Sequence, residues 1–176
     1  SGSGKSSLLK FLCGILPDGI TGTGSVRVGD DELTSLPPQS RGLGLLFQDP
    51  LLFPHLDVAG NVLFGLRAGG SRRDRQQRAA AALASVGLQD FAARDPATLS
   101  GGQQARVALL RVLLAEPRAL LLDEPFSSLD DDNRKRTREL VFAEARQRGL
   151  PTLLVTHDQG DVDAAAGPVV TLSASA

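Results

Sequence analysis

Three short segments of this chain carry residue types suited to phosphate chemistry. Ser1-Gly2-Ser3-Gly4-Lys5-Ser6 is the back half of the pattern G-x-x-x-x-G-K-[ST] and runs into an apolar helical stretch. Gly2 and Gly4 let a backbone fold tightly enough for several N–H groups to face one anion. Lys5 adds positive charge for outer phosphates, and the Ser6 hydroxyl can ligate Mg2+. Ser100-Gly101-Gly102, ahead of Gln103 and a second helical pattern, make another helix N-terminus whose amides can hold an anion. Finally, the apolar run Leu120-Leu121-Leu122 ends in Asp123 and Glu124, two carboxylates able to hold a metal and orient a water. Taken singly, each segment has a plain structural reading: a glycine-rich loop, a capped helix, a surface acid pair.

Two more polar residues follow apolar strand-like runs. Gln48 stands after Leu46-Phe47, and His157 after Val155-Thr156. Each alone reads as ordinary loop chemistry. With two histidines and one cysteine in the chain, a zinc site has too few ligands. Cys13 lies in an apolar helical stretch and is expected to be a buried bystander, with no partner for an internal disulfide. His55, in a loop bounded by Pro54, is assigned no chemistry.

The elements that must position these residues are legible from periodicity. Lys5 to Ile15 reads as a helix, with Leu8, Leu9, Leu12 and Ile15 on one side. Ser25–Val28 and Asp31–Leu33 read as short strands about a Gly29-Asp30 turn. Gly42–Phe47 reads as an apolar strand leading into Gln48, followed by a loop broken by Pro50 and Pro54. From Val58 to Gly87 the pattern is helical, interrupted at Gly69-Gly70, and the charged run Arg72–Arg78 reads as a solvated face. Gln103–Ala115 predicts a helix, Ala119–Leu122 a strand buried on both faces, Arg134–Arg148 a helix, and Thr152–Thr156 another buried strand. Val169–Leu172 is a further strand-like run. Strands alternating with helices, with polar residues at strand C-terminal ends, imply an α/β fold built on a parallel sheet covered by helices.

The totals limit the function classes. One hundred seventy-six residues suit one domain with a sizeable core. A net charge of −1 argues against nucleic-acid binding through overall charge. No apolar run approaches the roughly 18–20 residues needed to cross a bilayer, and no signal segment opens the sequence.

Taken in order, these segments resemble the ATP-binding cassette (ABC) ATPases. The resemblance rests on Gly4-Lys5-Ser6, Gln48, Leu99-Ser100-Gly101-Gly102-Gln103, Leu122-Asp123-Glu124, Ser127-Ser128-Leu129-Asp130 and Thr156-His157-Asp158. It implies a P-loop NTPase fold, a RecA-like parallel sheet flanked by helices, with an inserted helical subdomain and a small antiparallel β element. Residues 1–176 would form one ABC ATPase domain. Within it, 1–56 would be partial core with P-loop and Q-loop, 57–115 the helical subdomain with the signature, and 116–176 core carrying the metal acid, D-loop and switch histidine.

The resemblance also implies roles. Glu124 would polarise the attacking water, His157 would contact the γ-phosphate, and Gln48 would reach metal and water. Gly2, Ser3, Gly4, Lys5, Ser6 and Ser7 would hold the phosphates of ATP. Ser6, Gln48 and Asp123 would hold Mg2+. Ser100, Gly101, Gly102, Gln103 and Asp130 would complete the nucleotide site of a second copy, so that two subunits sandwich two ATPs head to tail. Phe47–Leu56 and Asn61–Leu66 resemble bacterial importer ATPases. The implied role is therefore an ATPase subunit powering solute import. It would sit peripherally on the cytoplasmic face of the plasma membrane, against a separate permease and, indirectly, a solute-binding protein, with no nucleic-acid partner.

Three features depart from the family pattern. The chain has no Tyr or Trp, so the aromatic that stacks on adenine is expected outside it. Ala105 replaces a commonly polar residue after the signature. Gly160 stands where importers often carry an acid, with Asp161 following. Because the sequence opens inside the phosphate loop and stops after Val169–Leu172, it is expected to be a piece truncated at both ends. A non-transport ABC switch and an inactive gene fragment stay open as alternatives, and the transported substrate is not readable.

Overall fold

A computed structural model describes residues 4–172. At its centre is a three-stranded parallel sheet of β3 (Leu43–Leu46), β4 (Ala119–Asp123) and β5 (Thr152–Val155), in that order. The register sets Leu46 beside Leu122 and Asp123 beside Val155. Residues Ala119–Leu122 are buried, as a strand apolar on both faces must be. A separate antiparallel pair joins β1 (Arg27–Val28) to β2 (Asp31–Glu32) through the Gly29-Asp30 turn.

The first helix, α1 (Lys5–Cys13), packs Leu9 and Cys13 against Leu121 and Val155. It stops two residues short of the periodicity reading, because Gly14 turns left-handed at φ 76° and its N–H caps the carbonyls of Lys10 and Phe11. Burial pushes the Cys13 thiol up, with nearby Arg41 opposing it. Arg41 ends the short helix α2 (Pro38–Arg41). It is buried and donates to the carbonyls of Phe11, Leu12, Thr34 and Leu36. One side chain thus ties the end of α1 to the segment that follows the hairpin.

The helical stretch from Val58 forms α3 (Val58–Gly65) and α4 (Arg72–Ser85), separated at Gly69-Gly70. Next comes α5 (Gly101–Leu113), which is nearly surrounded. Its Val107 and Leu110 pack with Val58, Val62 and Leu83, while Ala105, Leu109 and Leu113 pack with Leu120, Leu122 and Phe142. The alanine after the signature is therefore a core residue, where a larger polar side chain would have to be accommodated. The sheet side is closed by α6 (Asp131–Gln147), and α7 (Gln159–Ala165) follows β5.

Two strand expectations need correcting. Thr152 and Leu153 of β5 are exposed, because β5 is an edge of the sheet among the described residues. Val169–Leu172 does not join the sheet as a strand and is exposed.

Helix α3 approaches α5 so closely that a Cβ at Gly65 would sit 2.1 Å from the Arg111 carbonyl oxygen. Gly87, by contrast, has open space but φ +71°. Gly65→Ala is expected to destabilise by about 3 kcal/mol, the upper part of the overpacking range. Gly87→Ala should cost only the left-handed strain of about 1–2 kcal/mol. Urea denaturation midpoints of the two variants check the order.

Candidate functional site

Parallel strands deliver their C-terminal ends to one edge, and three polar residues of interest emerge there. Asp123 is the last residue of β4. Glu124 follows it at φ +46°, a region where a non-glycine residue is strained. The turn is held from both sides. The Glu124 N–H donates to the Val155 carbonyl at 2.9 Å, and the Glu124 carbonyl accepts from the Ser127 hydroxyl at 2.9 Å. Phe126, fully buried, anchors the far side. So oriented, the Glu124 carboxylate stands 3.2 Å from His157 Nδ1, beyond the end of β5.

The start of α1 reaches the same edge. Gly4, at φ 76°, is its N-cap with no side-chain cap, and no acid occupies the first turn. The positive end of this helix is therefore not neutralised by its own side chains. The Ser6 hydroxyl donates to Asp123 Oδ1 at 3.0 Å. A hydroxyl and a carboxylate oxygen meeting at a helix N-terminus are hard donors of the kind that bind Mg2+ alongside substrate phosphates and water. They fit that ion. Among the described residues no three His, Cys, Asp or Glu side chains form a closed metal cage. Lys5 and Ser7 are half-buried in the same turn, whereas Gly2 and Ser3 lie outside the described residues.

The signature segment is a helix cap first of all. Ser100 Oγ accepts from the Gln103 N–H at 3.4 Å, and Gln103 Oε1 accepts from the Ser100 N–H at 2.9 Å. This reciprocal pair starts α5 two residues earlier than periodicity indicates. The glycines serve close approach to α6. A Cβ at Gly102 would come within 2.8 Å of Asn133 Oδ1, and one at Gly101 would touch Leu129. Asp130 caps α6 in turn, accepting from the Asn133 N–H at 3.1 Å and from its side-chain amide at 2.7 Å. Those bonds, the side-chain amide first, hold the Asp130 carboxyl below its ordinary value.

Gln48 is exposed and lines a cavity of about 240 Å3 with Gly101, Gln104 and Ser128, between the sheet edge and α5. The structure thus brings Ser6, Asp123, Glu124 and His157 together. It sets Gln48 beside the signature and leaves Ser100, Gln103 and Asp130 bonded within their own helix starts.

Sequence reasoning missed the polar residues that shape this edge from behind. Asn61, fully buried, accepts from the Phe53 N–H and donates to the carbonyls of Phe53, Leu56 and Asp57. Arg111 donates to the carbonyls of Pro50 and Leu51. Between them they fix the loop after Gln48. Arg138 and Asp161 pair at 2.9 Å beneath His157. The sequence signals are slight: Asn61 is an amide in an apolar helical run that resembles importer ATPases, and Asp161 is the acid after Gly160.

Comparison with known proteins gives the family and the fold. The sequence profile of a family described as "ABC transporter" matches residues 1–127. The ABC transporter ATP-binding protein YnjD of Escherichia coli (strain K12) is 46% identical over 164 residues, covering 93% of this chain and 76% of its own. The Fe(3+) ions import ATP-binding protein FbpC of Streptomyces avermitilis is 48% identical over 175 residues, 99% of this chain and 50% of that relative. The spermidine/putrescine import ATP-binding protein PotA of Frankia alni is 45% identical over 162 residues, 92% of this chain and 34% of that relative. The chain therefore spans about half the length, or less, of these import relatives. Among solved structures, the dimeric post-hydrolysis state of the ATP-binding cassette MJ0796 bound to ADP and Pi is similar, with a TM-score of 0.72 and 30% identity. That match covers 93% of this chain and 72% of the other.

The Asp130 cap gives a pH test. A carboxyl whose folded pKa is depressed contributes stability above its unfolded value, near 3.9, and loses it as pH falls through the lower folded value. Asp130→Ala should therefore be less stable than the parent at neutral pH, with a gap that closes below about pH 4. Denaturation midpoints measured from pH 7 to pH 2.5 check this.

Proposed function

This chain belongs to the ABC transporter family, and from that premise we propose that it binds and hydrolyses ATP to power solute import through a separate membrane permease. The carrying observation is the convergence of Ser6, Asp123, Glu124 and His157 at one sheet edge, at the uncapped start of α1. There the α1 amides and Lys5, with Gly4 and Ser7, would receive the phosphates, a role also proposed for Gly2 and Ser3, which lie outside the described residues. Ser6 and Asp123, joined by Gln48, would hold Mg2+, which when bound neutralises phosphate charge. Glu124 accepts a proton from the attacking water and His157 orients toward the γ-phosphate.

The chain would form one ABC ATPase domain, with 57–115 as its helical subdomain and 1–56 and 116–176 as core. Ser100, Gly101, Gly102, Gln103 and Asp130 of the partner subunit would close each site across a twofold axis. ATP closes that dimer only as far as it binds the closed state better. The solved dimer with ADP and Pi supports this reading, as do the import names of the relatives.

A groove of about 580 Å3 between β3, α3 and α5 is proposed to receive an apolar segment of the permease. Its rim carries Phe64, 65% exposed, and Leu51, 57% exposed, and its floor includes Leu43 and Leu45. It adjoins the loop that Arg111 and Asn61 hold, so movement at the groove reaches Gln48 through a fixed backbone. No described helix is long and apolar enough to cross a membrane. The membrane spans, and the solute-binding protein that feeds them, would be other polypeptides.

Glu124→Gln in the full-length protein is expected to slow hydrolysis by about 10²–10⁴-fold while ATP still binds and drives dimer formation. Phosphate release and light scattering measure the two effects, and turnover at the parental rate would refute the assignment. Phe64→Asp should abolish copurification with the permease while lowering the melting temperature only slightly, since the ring is 65% exposed and gives up its contact with Phe53. Retained copurification would overturn the docking proposal.

A further inference from the structure

Behind His157 lies a buried polar cluster that none of the proposed chemistry uses. Asp161, in the first turn of α7, is 2% exposed. Its carboxylate accepts from Arg138 of α6 at 2.9 Å and from the Thr156 hydroxyl at 2.8 Å. The Thr156 oxygen accepts in turn from the Asp158 N–H at 3.1 Å. Asp158 Oδ1 accepts from the Asp161 N–H at 3.0 Å and stands 3.6 Å from Arg138. Of the residues on either side of His157, Thr156 is thus tied to the buried carboxylate directly, and Asp158 through the Thr156 oxygen, the Asp161 N–H and Arg138. The imidazole is 72% exposed, with Glu124 at 3.2 Å, so its direction depends on where the backbone of 156–158 is held.

We propose that Asp161, fixed by Arg138, is a positioning residue that aims His157 at Glu124 and at the reacting phosphate. It acts through Thr156 and Asp158 and touches no reacting atom itself. Arg138 gives the device its reach. It belongs to α6, the helix capped by Asp130 just after the turn carrying Glu124. One side chain therefore references the histidine to the element that holds the carboxylate. Gly160 keeps this connection open. A Cβ there would meet Arg138 Nη1 at 2.8 Å and Asp158 Oδ1 at 3.0 Å, so a side chain at this position would require the end of Arg138 to shift. The departure from the family pattern at Gly160 thus has a packing reason. The inference rests on reading His157 as the γ-phosphate contact.

The competing account is that the buried pair only stabilises the fold. Buried ion pairs are weak stabilisers, and apolar replacement of both partners is often neutral. A purely structural role would therefore be mended by the double variant Arg138→Met/Asp161→Leu. A positioning role would not, since Thr156 would still lack its carboxylate partner and Asp158 the Arg138 guanidinium beside it.

The test uses the full-length protein with 15N-labelled histidine, the His157 ring resonance being identified by its loss in His157→Ala. Asp161→Asn should shift or broaden the His157 ring signals and leave those of His55 in place. In the same variant kcat should fall roughly ten- to a hundred-fold, the scale of a misplaced catalytic group, with KM for ATP within about twofold. The double variant should regain the parental melting temperature while its ring signals and kcat stay displaced. Unmoved ring signals in Asp161→Asn, or ring signals and kcat that recover together with melting temperature in the double variant, overturn the proposal. If the parent hydrolyses no ATP, the functional reading fails by itself and the ring spectra still decide the positioning.

Discussion

Everything at the C-terminal edge of the sheet depends on β4 being buried on both faces. A strand made of Ala119 and three leucines has no solvent-facing side, so it must lie between neighbours, and β3 and β5 supply them. Once it is central and parallel to both, its first polar residues have to surface at the C-terminal edge, where Gln48 and His157 also leave their strands. Ser6 arrives there because Leu9 and Cys13 of α1 are drawn onto Leu121 and Val155. The 3.0 Å contact between Ser6 and Asp123 is the outcome of apolar packing one layer below it. The strained backbone at Glu124 is kept by the Val155 carbonyl and the buried Phe126, so its energetic cost falls on the core and not on the carboxylate.

The second structural theme is how α5 joins two apolar clusters. Its Val107 and Leu110 belong to the helical cluster with α3 and α4, and its Ala105, Leu109 and Leu113 to the cluster on the sheet. Gly65 and Gly102 let neighbouring helices press against it more closely than any side chain would allow. A rigid, doubly packed helix with Ser100 at one end and Arg111 near the other places the signature and the loop after Gln48 in one mechanical frame. Under the proposed function, that frame is what lets a groove contacting a permease and a nucleotide edge influence one another.

Much of this was legible from the chain. The β4 run, the alternation of strands and helices, the Gly29-Asp30 turn and the strand-end positions of Gln48, Asp123 and His157 all follow from local patterns. Helix starts were read late, at Gln103 and Arg134, because periodicity sees apolar spacing and not capping. Ser100 with Gln103, and Asp130 with Asn133, extend both helices toward their N-termini through polar bonds. The apolar content of Thr152–Thr156 and Val169–Leu172 suggested burial. Burial, however, depends on which strand lies alongside, which hydropathy does not encode.

What the sequence by itself determined was chemistry and order: a phosphate loop, a signature, an acid pair and a histidine, spaced as in one family, on elements whose type local periodicity dictates. What only the tertiary structure decided was support. Arg41, Asn61 and Asp161 are polar residues whose burial goes against their ordinary surface preference, and each is stabilised by backbone carbonyls or by partners distant in the chain, the partly buried Arg138 among them. No local pattern announces such partners, because a buried hydrogen bond is defined by which groups the folded core has removed from water together.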